Sequence, residues 1–81
     1  MIAIVHTYAP TPIMINIKPY YTFGRIKQLI TKESGIKSCE QKLYCQHKIM
    51  HDKDIVKNCV MYHNRACVKN GIHFQLKIND F

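Results

Sequence analysis

Acidic residues are scarce in this chain. Five Asp and Glu stand against twelve Lys and Arg, a formal net charge of +7, so the paired carboxylates of general acid/base chemistry have little to be drawn from. Three glycines in all leave no Gly-rich loop to cradle a phosphate. The four cysteines, Cys39, Cys45, Cys59 and Cys67, include no Cys-x-x-Cys pair of the kind that delivers ligands to structural zinc. No stretch approaches the ~20 apolar residues that would span a bilayer. Met1 to Pro12 lacks the basic start and long apolar core of a signal peptide. Low-complexity runs, internal repeats and linkers are also missing. A disulfide-stapled secreted miniprotein is thereby disfavoured, and reduced thiols in a cytoplasmic or nuclear protein are expected.

What is present suits one ordered globule, a single domain over 1–81. Hydrophobic residues make 47% of the chain and charged residues 21%, and a chain this short buries only about 60% of its unfolded surface. The positive surplus points to an acidic partner: RNA, a ribonucleoprotein surface, an anionic membrane or an acidic protein. Its placement is uneven, because residues 1–17 hold no Asp, Glu, Lys or Arg and every basic residue falls from Lys18 onward.

Ala3 and Val5 alternate with Ile2, Ile4 and His6, and Ile13, Ile15 and Ile17 alternate with Met14, Asn16 and Lys18. Both runs read as strands of a hairpin, with its turn at Tyr8 to Pro12, where two prolines forbid ladder donors. From Phe23 to Ser34 the spacing turns helical, with Phe23, Ile26 and Ile30 on one stripe and Leu29 at its margin. Thr22 is the expected N-cap, Tyr21 and Ile26 the staple, and Gly35 the C-terminal stop. Gly24 costs this helix about 1 kcal/mol relative to Ala, and Arg25 sits where the macrodipole prefers a negative charge. Lys42–Cys45, Lys48–Met50 and Gly71–Ile78 read as strands, the last with Ile72, Phe74, Leu76 and Ile78 on one face. Val56 and Met61 are expected core anchors in an irregular or short helical segment.

The order hairpin, helix, short strands, final strand resembles the β-grasp of ubiquitin. In an ungapped register through Asp52, the residues Met1, Val5, Thr7, Ile13, Pro19, Thr22, Lys27, Ile30, Gly35, Ile36, Gln41, Leu43, Lys48 and Asp52 coincide with that family's. Its core pattern is kept at Ala3, Val5, Ile13, Ile15, Ile17, Phe23, Ile26, Ile30, Leu43, Met50, Val56, Met61, Ile72 and Phe74. An insertion of roughly five residues falls near Tyr62 to Asn70, within ordinary loop tolerance. The resemblance implies an α+β fold: one main helix packed on a mixed four- to five-stranded sheet.

It also implies three properties to compare. Conjugation in that family needs a Gly-Gly tail, whereas Asn79-Asp80-Phe81 stand here, so a non-conjugating protein or domain is expected, or a modifier matured from a longer precursor. The apolar recognition patch corresponds to Tyr8, Tyr44, His73 and Gln75, ringed by Lys42, His47 and Lys48. These residues are the expected protein-binding surface, with a ubiquitin-receptor-like, proteasomal or chaperone component as partner; solvated sheet residues are the alternative. Of the chain-linkage lysines, Lys27 and Lys48 are kept, and the Lys27 stem is expected to pack beneath the helix.

Cys59-x3-His63-x3-Cys67, with Cys39, Cys45, His47 and His51, invites a metal reading, but the β-grasp register scatters these donors and no metal or other cofactor is expected. Catalysis is not expected either, since no nucleophile, base and orienting group form a set, and neither a small-molecule substrate nor a membrane partner is implied. Arg25 and Lys32, two helical turns apart, share an exposed face. With Lys57, His63, Arg65 and Lys69 they could meet phosphates, and Lys42, Lys48 and Lys77 form a third basic group near Tyr8 and Tyr44. Binding to RNA or a ribonucleoprotein, as in the ubiquitin-like extensions of some ribosomal proteins, is the second expectation, and a lysine-rich solvated surface is its alternative.

Overall fold

The alternation at the N-terminus makes a hairpin of β1 (Ile2–His6) and β2 (Ile13–Asn16), antiparallel, with Ala3 opposite Ile15 and Val5 opposite Ile13. Ala3 and Val5 are fully buried, while Ile2 and Met14 face solvent. In this computed structural model the described residues are 1–58 and 70–78. Tyr8 to Thr11 form the bend, where Ala9 N–H donates to Thr7 Oγ1 at 3.0 Å.

Helix α1 (Phe23–Ser34) begins where Thr22 Oγ1 accepts the Arg25 N–H at 3.2 Å and ends where Gly35, at φ 80°, donates to Thr31 O at 2.7 Å. The left-handed C-cap is a conformation that favours glycine. With no acid in its first turn, the helix places the Arg25 guanidinium 4.3 Å from the centroid of the Tyr21 ring. That contact offsets an otherwise misplaced charge. Phe23, Ile26 and Ile30 are fully buried, and Lys27 is buried with its Nζ 2.7 Å from Asp52 Oδ1.

A short 3-10 turn, Ser38–Glu40, leads into β3 (Gln41–Cys45), followed by β4 (Lys48–Met50), a second 3-10 turn at Val56–Asn58, and β5 (Ile72–Ile78). The sheet order is β2-β1-β5-β3-β4, with β1 and β5 parallel and the other pairs antiparallel. One helix packed on this mixed sheet, with the first and last strands side by side at its centre, is the ubiquitin-like β-grasp. Gly71, at φ +114°, turns the chain into β5, and a Cβ there would lie 2.8 Å from Ile4 Cδ1.

The core follows the alternation closely. Phe23 from the helix meets Phe74 from β5 edge to face, with centroids 5.3 Å apart, an arrangement that adds about 0.5–1.5 kcal/mol to plain burial. Leu76 and Cys45 join the buried set, whereas Ile13 and Met50, expected inside, pack against the core from its margin. Both sit on edge strands, which lack a neighbour on one side. Met61 lies outside the described residues.

Gln41, 3% exposed, ties the helix to β3. Its Nε2 lies 3.0 Å from Lys27 O, 3.0 Å from Thr31 Oγ1 and 2.9 Å from Ile36 O. Its Oε1 is buried with no hydrogen-bond partner among the described residues.

Candidate functional site

Because side chains alternate across a strand, burying Ala3, Val5, Ile72, Phe74, Leu76, Leu43 and Cys45 against the helix fixes what the other face carries. His6 pairs with Gln75, Gln75 with Tyr44, and Tyr44 with Ile49, one row across four strands. The flanking pairs are Ile4 with His73 and Lys77 with Lys42. At the middle of this face lies an open hollow of about 360 Å³ lined by His6, Tyr44, His47, His73, Gln75 and Lys77, with Gln46 at its rim. Among the described residues no carboxylate lines it.

His6 Nε2 and His73 Nδ1 are 2.7 Å apart. The two ring planes differ by 10° and their centroids are 5.0 Å apart. A nitrogen contact that short cannot arise between rings lying face to face, so the imidazoles lie side by side with one proton between them. Lys77 Nζ stands 5.0 Å from the centroid of the Tyr44 ring, a cation held over an aromatic face. The turn between β3 and β4 has positive φ at both central residues, 51° at Gln46 and 69° at His47. That matches the twist of a tight hairpin but strains non-glycine residues, and it holds His47 at the hollow.

Of the expected patch, Tyr44, His47, His73 and Gln75 come together. Tyr8 stands on the β1–β2 bend, 75% exposed and outside the lining. Lys42 lies one pair along, opposite Lys77. Lys48 pairs with the buried Cys45, so it is offset from the Tyr44 row. His6 and Lys77 complete the hollow. His6 is not among the expected patch residues, yet outward alternation on β1 and β5, with the two strands adjacent as the resemblance implies, is the signal that places it beside His73.

The basic groups divide. Arg25 and Lys57 lie at the same end of α1, because Lys57 N–H donates to Pro19 O and Val56 N–H to Tyr21 O, both at 2.9 Å, beside the Arg25–Tyr21 pair. Tyr20 is exposed there and packs edge-on to Tyr21. Lys32 lies at the far end of the helix, in a shallow groove with Met14 and Leu29. His63, Arg65 and Lys69 lie outside the described residues, as do Cys59 and Cys67. Cys39 is exposed in the 3-10 turn and Cys45 is buried on β3. Among the described residues no three His, Cys, Asp or Glu side chains converge as metal ligands, and no helix is long and apolar enough to cross a membrane.

The architecture recurs widely: 364 solved chains match it, so the fold by itself selects no activity. One such structure, described as the crystal structure of ATBAG1 in complex with HSP70, superposes with a TM-score of 0.78 at 21% identity. That match covers all of this chain and 41% of the other, so the present chain spans less than half of its neighbour's length. No protein-family model matches the sequence. No curated protein matches it either.

Proposed function

We propose that this domain is a non-catalytic recognition module that docks a protein partner on the outer face of its sheet, centred on Tyr44. The observation that carries the reading is the hollow itself: an aromatic ring, a cation on that ring and paired imidazoles gathered on a face that otherwise exposes Ile49, Ile2 and Met14. Aromatic anchors beside mixed apolar and polar groups are the composition from which interface hot spots are built. The matched structure is described as a complex with HSP70, which supports a partner of chaperone class. Such a module works by presenting a rigid surface, and its sheet needs no rearrangement to be read.

Chemical-shift mapping against chaperone and proteasomal receptors tests this. Perturbations are expected at Tyr44, Gln75, His73 and Ile49, and Tyr44→Ala should weaken binding by about 2 kcal/mol, roughly thirtyfold. Shifts confined to the helix face would overturn it.

A second reading has an observation of its own. Arg25, Lys57, Tyr20 and Tyr21 converge at one end of α1, a combination of cations and exposed rings suited to phosphates and unstacked bases. A steep fall of RNA affinity with salt, reduced by Arg25→Ala, is its expected signature. An RNA affinity without a salt slope would discard it.

A further inference from the structure

We propose that the hollow on the sheet face seats a carboxylate side chain of an acidic protein segment, and that seating draws one proton onto the His6–His73 pair, so binding strengthens as pH falls. This rests on the recognition reading above and adds the partner's charge and a means of regulating it.

The argument is a count of protons. With His6 Nε2 and His73 Nδ1 only 2.7 Å apart, one of the two facing nitrogens donates and the other accepts. When both rings are neutral, each carries one N–H, and the pair satisfies the contact. A first added proton must go to a nitrogen outside that contact, His6 Nδ1 or His73 Nε2. The internal bond survives, now charge-assisted, and an outer nitrogen has become a new donor. A second proton would place hydrogens on both facing nitrogens and force the rings apart. The compact pair therefore admits one positive charge without changing shape.

Its neighbours give that charge a use. Lys77 lines the hollow from β5 and Tyr44 from β3, His47 reaches it from the β3–β4 turn, and Lys42 lies opposite Lys77. Among the described residues no Asp or Glu lines the hollow, so none of them balances an added proton. A partner's carboxylate seated there favours the protonated pair. Proton uptake and partner binding are thus coupled in the same direction. An acidic peptide is favoured over a nucleic acid because the same face exposes the apolar Ile2, Met14 and Ile49 around the hollow, whereas exposed Tyr20 and the cations Arg25 and Lys57 lie at the end of α1.

The test uses a synthetic 16-residue amphipathic peptide with Glu on one face and Leu on the other, titrated calorimetrically between pH 8 and pH 5.5, where carboxylates stay largely ionised and imidazoles exchange protons. Affinity should rise by up to about tenfold per pH unit, the limit for one linked proton. The rise should vanish in His6→Gln/His73→Gln and persist in His51→Gln, an exposed histidine outside the lining. Binding at Tyr44 with no pH slope, or with a slope retained by the double variant, overturns the proton-linked carboxylate seat and leaves the recognition surface standing. Shifts confined away from the sheet face, or oligouridylate displacing the peptide from that face, overturn the seat and the recognition reading together.

Discussion

Replacing Gln41 separates two contributions that a buried amide usually confounds. Gln41 Nε2 carries two hydrogens and Thr31 Oγ1 one, and together these three serve Lys27 O, Ile36 O and the Gln41–Thr31 contact itself. Gln41→Leu removes two donors, about 1 kcal/mol each, and leaves Thr31, whose Oγ1 also contacts Ser38 Oγ at 3.2 Å, to serve two carbonyls with one hydrogen. The same substitution deletes Oε1, a buried acceptor with no partner among the described residues, whose desolvation already costs about 1–3 kcal/mol. The two effects oppose each other, so the net loss should stay below about 2 kcal/mol. Gln41→Glu has no such offset. An ionised carboxylate would face two carbonyl oxygens in a buried site, and the loss at pH 7 should exceed about 3 kcal/mol. Burial raises the folded-state pKa of such a carboxyl above its unfolded value, so the folded state holds the proton longer. Stability of that variant is therefore greatest below about pH 4 and falls by up to about 1.4 kcal/mol per pH unit as pH rises. Urea denaturation followed by circular dichroism at pH 4, 5.5 and 7 reads both effects. A leucine variant less stable than the glutamate variant at pH 7, or a glutamate variant with no extra pH dependence, would refute this reasoning.

Two further outcomes follow from the same geometry. Asp52→Ala leaves the Lys27 ammonium, whose side chain is 11% exposed, without its carboxylate; because Asp52 itself is 68% exposed, water can reach the gap and the cost should be about 1–2 kcal/mol rather than that of a fully buried pair. Lys27→Met, which keeps the stem and removes the charge, should cost less in the same denaturation assay, and the reverse order would show that packing governs this site. His47→Gly relieves a side chain held at φ 69° and should raise stability by about 0.5–1 kcal/mol, a few degrees in melting temperature by calorimetry; an unchanged or lower value would mean that the turn carries no strain.

Elements with a regular period were the easiest to read. The 23–34 helix, its Thr22 and Gly35 ends and the outward and inward faces of β1 and β5 follow from spacing and caps, which are local. The assembly of the hollow is not local. His6 joins His73 only because β1 and β5 run parallel, a partnership that no periodicity in either strand specifies. Tyr8 carries two expectations, a place in the patch and a place in the turn that Pro10 and Pro12 impose; it stands on that bend and does not line the hollow. Arg25 and Lys57 were placed in separate clusters, since only the backbone bonds of the 56–58 turn to Pro19 and Tyr21 bring them to one end of the helix.

The central pairing of β1 with β5 also sets when the recognition surface comes into being. The two histidines are 67 residues apart, so their contact requires closing nearly the whole chain, the slow, entropically costly kind of closure. During synthesis the hairpin, the helix and β3 can emerge and associate while the middle of the sheet is still vacant. Until β5 inserts there, the surface lacks His73, Gln75 and Lys77 together, and a partner that reads them can bind only molecules whose folding is complete. Occupancy of that face then feeds back on the population: at a partner concentration one hundred times Kd, it would hold the finished fold by about 2.7 kcal/mol against reopening.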